Sequence, residues 1–213
     1  MVAAGVLVSG TGSNLKAIID RVGAGRLECD LRLVISNRAE APALAYAQRA
    51  GIPTRVIDHR AFPSREAFDR ALVGALHDAG VELVVLAGFD RLISHALLDA
   101  FPQRIMNIHP ALLPAFKGMH GQRQAVEYGV KIAGATVHFV DANVDHGPII
   151  VQGAVAVRAD DTEETLRQRI LVVEHEIYPL AIQLFAEGRL RVVGRRVEVD
   201  GAPEGRDPPL LAW

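Results

Sequence analysis

Apolar residues recur along the chain in two alternating rhythms. Short, nearly unbroken apolar runs, beginning with "GVLVSG" (5–10), give way to stretches where apolar positions return every three or four residues, first at Leu15, Ile18, Ile19 and Val22. The first rhythm predicts strands and the second helices. Further strands are predicted at "LRLVIS" (31–36), "TRVI" (54–57), "LVVLAG" (83–88) and "RIMNIH" (104–109). Ser64 is placed to cap a helix that buries Phe68, Leu72 and Leu76. Apolar strands joined by helical crossovers predict a parallel sheet covered on both faces.

After His109 the rhythm changes. "KIAGATVHFV" (131–140) and "GPIIVQGAVAV" (147–157) follow each other across a polar loop and are expected to pair antiparallel. The fold class is therefore α/β: a three-layer, doubly wound, mostly parallel sheet with an antiparallel extension on its C-terminal side. Thr162, followed by two glutamates, opens a long helix with an expected core stripe of Leu166, Ile170, Val173, Ile177, Leu180 and Leu184. Pro179 lies inside that helix, where its ring would crowd the carbonyl of His175, and predicts a kink. "RLRVVGRRVEVDG" (189–201) reads as a small exposed hairpin with solvated arginines, and "PEGRDPPLLAW" (203–213) as an unpatterned tail. The 213 residues carry no repeat or linker and fit one domain.

Composition narrows the functional classes. A net charge of −2 argues against a general nucleic-acid or membrane surface, so an anionic ligand must meet local donors. The single cysteine, Cys29, excludes an internal disulfide and a cysteine-rich zinc site, and it is compatible with a reducing cytosol. No cationic segment leads into an apolar stretch at the N-terminus, and no apolar run nears the ~20 residues of a membrane span, so an unprocessed, cytoplasmic protein is expected.

Three clusters carry candidate chemistry. In "NIHPALLPAFKGMH" (107–120), strand alternation points Asn107 and His109 to one face at the end of a buried strand, and Pro110 ends the ladder. Unpaired, each would cost about 1–3 kcal/mol, so each needs a partner. "SGTGSN" (9–14) places backbone N–H groups at a helix N-terminus after the first strand. It lacks the Gly-Lys-Ser/Thr of a triphosphate loop, and Leu15 stands where a dinucleotide fingerprint needs a third glycine. A phosphate monoester fits it, as does a tight turn with Ser13 or Asn14 as the helix cap. In "VHFVDANVDHGP" (137–148), Asp141 and Asp145 read as turn-makers, as metal ligands with His138 and His146, or as a charge partner for an imidazole. No zinc-binding spacing supports the metal. In open α/β sheets the loops after the first strand, "LVVLAG" and "RIMNIH" emerge at one edge. An amide donor (Asn107), an imidazole (His109) and a carboxylate (Asp145) there suit acyl transfer by direct attack of a substrate amine, since no activated serine or cysteine accompanies them.

The chain resembles the glycinamide ribonucleotide formyltransferases, of the folate-dependent formyltransferase family, through "SGTGSNL", "SREAFDRAL", "VVLAGFDRLIS", "NIHPALLPAFKGMH", "GATVHFVDANVDHGPII" and "EHEIYPLAI". The resemblance implies a Rossmann-like formyltransferase fold, the cosubstrate 10-formyltetrahydrofolate, no metal, small-molecule substrates and a monomer or homodimer. It implies Asn107, His109 and Asp145 as the catalytic trio. Gly12, Ser13 and Asn14 would hold the substrate phosphate and Glu174 the ribose, while Arg65, Asp90, Arg91, Leu92, Ile93 and Asn107 would line the folate site. It divides the single domain into a phosphate-binding half (about 1–100), a folate and catalytic half (about 101–190) and a short hairpin and tail, and it implies a cis Leu113–Pro114 bond. Asp90 and His146 depart from the family pattern, standing where a relative has an apolar residue and a glycine. The related formyltetrahydrofolate hydrolases and tRNA formyltransferases usually carry an extra domain, which this chain is expected to lack. A silent sugar-phosphate sensor would not need all three catalytic side-chain types.

Overall fold

In the computed structural model, which describes residues 1–201, the chain opens as β1 (Val2–Val8), α1 (Ser13–Gly23), β2 (Cys29–Ser36), α2 (Ala43–Arg49), β3 (Thr54–Val56), α3 (Arg65–Asp78), β4 (Leu83–Leu86), α4 (His95–Ala100) and β5 (Ile105–His109). It continues as α5 (Gly121–Tyr128), β6 (Ile132–Phe139), β7 (Ile149–Ala156), α6 (Glu163–Ala186), β8 (Leu190–Val193) and β9 (Arg196–Val199). The expected tail at 203–213 lies outside the described residues.

One sheet runs in the order β3-β2-β1-β4-β5-β6-β7-β9-β8. The first five are parallel, β6 and β7 are antiparallel, and the β8–β9 hairpin joins β7 through Ile149 and Arg196. The chain turns outward in opposite directions from β1 and β4, which makes their carboxyl ends the switch point where ligands gather in such sheets.

Strand alternation divides the core. Val6 and Val8 of β1 and Met106 and Ile108 of β5 face one apolar cluster, which α1, α2, α5 and α6 cover. Leu7 and Ile105 face the other, built on Phe68, Leu72 and Leu76 of α3 and Leu97 of α4. The Ser64 hydroxyl caps α3 by accepting from the Ala67 N–H at 3.1 Å. Thr162 caps α6 in a reciprocal arrangement with Thr165.

Helix α6 departs from the expected core stripe at Leu180. It runs continuously from Glu163 to Ala186 through Pro179, which is itself buried. Its buried face keeps Leu166, Ile170, Ile177 and Leu184 of the expected stripe, with Val173 partly buried, adds Glu174, Tyr178 and Ala181, and leaves Leu180 47% exposed. Glu174 points inward by helical phase. The buried Tyr178 hydroxyl lies 2.9 Å from the Leu86 carbonyl and 3.0 Å from that of Met106, tying α6 to the ends of β4 and β5.

Candidate functional site

Alternation along β5 puts Asn107 and His109 on one side of the sheet edge, and antiparallel pairing sets them opposite His138 and Thr136 of β6. The loop after β6 folds back so that Asp145 Oδ2 lies 3.2 Å from His109 Nδ1, both side chains being almost fully buried. Asp145 Oδ2 also accepts from the Gly118 N–H at 2.8 Å, and Oδ1 lies 3.8 Å from His138 Nε2. His138 Nε2 is 3.4 Å from the Asn107 amide nitrogen, so His109, Asp145, His138 and Asn107 lie in one polar row. Burial alone would raise the Asp145 carboxyl, but the adjacent imidazoles and the Gly118 N–H outweigh it and hold the group below the ordinary carboxylate range. Asp145 adopts φ 45°, a left-handed conformation that aspartate tolerates better than most residues.

The turn after His109 is braced by residues that sequence inspection passed over. Thr136 Oγ1 donates to the Ala111 carbonyl at 2.7 Å and accepts from the Leu113 N–H at 3.0 Å, while the Gln152 amide donates to Leu113 at 2.9 Å. A threonine and a glutamine within apolar β-runs were the available signal. Leu113–Pro114 is cis, as expected. The same turn brings the Phe116 carbonyl to 2.8 Å from His109 Nε2. Both imidazole nitrogens thus face acceptors, and only the doubly protonated ring can donate to both.

At the end of β1, Gly12 precedes α1 with φ 76°, and a Cβ there would sit 2.5 Å from that of Ala43. Neither Ser13 nor Asn14 caps α1 with its side chain, contrary to one reading of the loop. Asn14 instead reaches across to α6, donating to Glu174 Oε2 at 2.7 Å, while its own Oδ1 is buried without a partner. Burial pushes the Glu174 carboxyl up, and the Asn14 amide and the charge of Arg167 offset this only in part. The Asn14–Glu174 bond joins the start of α1 to α6.

The loop between β4 and α4 forms the other rim. Its Asp90 carboxylate binds the Asn37 amide at 3.0 Å and the Arg38 guanidinium, both just beyond β2, and the Asp90 N–H donates to Ser9 at 3.0 Å. Burial would raise the Asp90 carboxyl, but Ser9, Asn37 and Arg38 hold it low. Arg91 is exposed and Leu92 is 57% exposed, while Ile93 packs on the second core cluster. Buried Asp69 of α3 ends the loop by accepting from the Ser94 N–H at 2.5 Å. Arg65 begins the same helix. Its guanidinium lies 3.7 Å from Glu66, and among the described residues no hydrogen bond joins it to residues 90–93. His146 pairs with Asp141 at 2.7 Å, and Arg195 of the hairpin, expected to be solvated, bonds to His146.

Residues 3–182 match the formyl transferase family. The chain belongs to that family. It is 44% identical to the Escherichia coli protein named phosphoribosylglycinamide formyltransferase, over 92% of each chain. It is 46% identical, over 88% of its length, to the human trifunctional purine biosynthetic protein adenosine-3, of which it spans 18%. Among solved structures, glycinamide ribonucleotide transformylase 1 from Symbiobacterium toebii superposes with a TM-score of 0.92 at 57% identity, covering 93% of this chain and 94% of that one. The Symbiobacterium toebii structure shares the fold described above.

Proposed function

We propose that this chain transfers the formyl group of 10-formyltetrahydrofolate to the primary amine of glycinamide ribonucleotide, N1-(5-phospho-D-ribosyl)glycinamide, in cytoplasmic purine biosynthesis. One observation carries the reading. The Asn14–Glu174 pair and the Asn107, His109 and Asp145 cluster stand at the carboxyl ends of the adjacent strands β1, β4 and β5. The names of the full-length relatives support it.

Gly12, Ser13 and Asn14 hold the phosphate with backbone N–H groups at the start of α1. Glu174 accepts hydrogen bonds from the ribose hydroxyls, and the free Oδ1 of Asn14 offers a further acceptor. Arg65, Arg91, Leu92, Ile93 and Asn107 line the folate side. Asp90 belongs to that rim through its backbone, because its carboxylate is committed to Asn37 and Arg38.

The amine nitrogen attacks the formyl carbon, and negative charge develops on the formyl oxygen. The Asn107 amide and His109 Nε2–H donate to that oxygen, the latter exchanging the Phe116 carbonyl for the substrate. Asp145 fixes the imidazole through Nδ1 and assists, through water, the proton's passage from the attacking amine to the departing folate nitrogen. The carbon–nitrogen bond to folate then breaks, leaving the N-formyl product and tetrahydrofolate. No step calls for a metal.

A spectrophotometric assay with glycinamide ribonucleotide, glycinamide or water as acceptor tests the assignment. Tetrahydrofolate release that depends on the ribonucleotide supports it, and equal release without any amine assigns the chain to hydrolysis instead.

A further inference from the structure

The loop from Asp141 to Gly147 faces an unusual demand: it must leave β6, project Asp145 back over His109 and re-enter the sheet at β7. Its base is tight, since the Phe139 N–H donates to the Pro148 carbonyl at 2.9 Å and a Cβ on Gly147 would lie 1.9 Å from the Phe139 oxygen. Its tip holds Asp145 with φ 45°, in the left-handed region.

The residue after Asp145 is contacted by the hairpin. The β8–β9 unit meets the sheet at the Ile149–Arg196 pair, which places the preceding Arg195 over His146. One terminal nitrogen of Arg195 donates to the His146 carbonyl at 2.7 Å, and the other lies 3.1 Å from Nε2 of its ring. That second nitrogen also lies 3.4 Å from Nδ1, so it sits over the imidazole ring, while the Asp141 carboxylate lies 2.7 Å from Nδ1. Asp141, His146 and Arg195 thereby form a chain that fixes the peptide immediately after Asp145.

We propose that Arg195 is a positioning residue for formyl transfer, clamping His146 against Asp141 so that the Asp145 carboxylate stays directed at His109. This inference rests on the catalytic reading of Asp145. None of the three clamp residues is hydrogen-bonded to the side chains of His109, Asp145, His138 or Asn107, so they act through the loop. His146 couples the loop to the hairpin, through Asp141 on one side and Arg195 on the other.

Arg195→Ala, Arg195→Lys, Asp145→Asn and the Arg195→Ala/Asp145→Asn double variant test it. Arg195→Ala is expected to lower kcat about tenfold, the scale of a small misplacement of a reacting group, with KM for both substrates within about twofold. Arg195→Lys retains a donor for the His146 carbonyl and is expected to recover much of that loss. In the Asp145→Asn background, Arg195→Ala should have almost no further effect. The nitrogen resonances of His109 in the ligand-free protein, where Asp145 faces Nδ1 and His138 lies beyond it, should move in Arg195→Ala and return in Arg195→Lys. Unchanged kcat and resonances in Arg195→Ala, or an undiminished loss in the Asp145→Asn background, would overturn the proposal. A wild-type protein without formyl transfer would instead defeat the functional reading, and the His109 resonances alone would then decide whether Arg195 positions Asp145.

Discussion

The side-chain amide of Asn14 donates to Glu174 across 2.7 Å, joining the loop after the first strand to a helix 160 residues further along the chain. Neither side chain has another hydrogen-bond partner among the described residues, and the pair stands beside the switch point of the sheet. A buried carboxylate held by one amide keeps acceptor capacity for a ligand.

Glu174→Ala is therefore expected to weaken glycinamide ribonucleotide binding tenfold or more, since each hydrogen bond to a charged group contributes about 1.5–3 kcal/mol. Folate affinity should stay nearly constant. Calorimetric titration of both ligands checks this, and unaltered ribonucleotide affinity would remove Glu174 from the substrate site.

The same residue predicts a pH dependence. Burial raises the Glu174 carboxyl above its ordinary 4.5, so the unfolded chain ionises first and stability falls as pH rises from that value to the raised one. Glu174→Gln should lack this fall and be more stable than the parent above the window. Ribonucleotide binding by the parent should strengthen as the carboxyl ionises, whereas Glu174→Gln should bind weakly with little pH dependence there. Denaturation and titration series across the acid range measure both effects.

Much of this site was legible because its parts sit where strand runs end. Asn107 and His109 interrupt an apolar strand with the period of two that assigns a common face, and "SGTGSN" lies between a strand and a helix. Glu174 points inward because it shares its phase with Ile170 and Tyr178, a phase that the apolar pattern alone does not assign to a carboxylate. The Asp145–His109 contact depends on antiparallel pairing of β5 with β6 and on a loop that folds back, which no local pattern encodes. The seat of the Phe116 carbonyl on His109, the Asp90 bonds to Asn37 and Arg38 and the Arg195 clamp likewise arise from tertiary closure.

His109→Ala and Asn107→Ala are expected to leave the circular-dichroism spectrum unchanged and to lower kcat by about 100-fold or more, because each removes a donor needed mainly in the transition state. Asp145→Asn should also lower kcat, since the carboxylate that receives His109 Nδ1–H is lost. Turnover near that of the parent in any one variant would exclude that residue from the mechanism.

Gly12→Ala introduces a Cβ 2.5 Å from Ala43 Cβ and 2.7 Å from its Cα, at a residue with φ 76°. The left-handed backbone alone costs about 1–2 kcal/mol for a non-glycine residue, and the Ala43 N–H, which donates to Gly10 at 3.2 Å, must shift with its neighbours. A lower melting temperature and weaker ribonucleotide binding are expected, both measurable by thermal unfolding with and without ligand.

The fate of the formyl carbon tests the central claim most directly. Donor labelled with 13C in the formyl group and glycinamide ribonucleotide labelled with 15N in the amine can be followed together by NMR as the protein turns over. Formyl transfer should produce a new formamide carbon signal split by one-bond coupling to 15N, growing in step with tetrahydrofolate. Label that appears as free formate, with the ribonucleotide amine unchanged, would contradict the account.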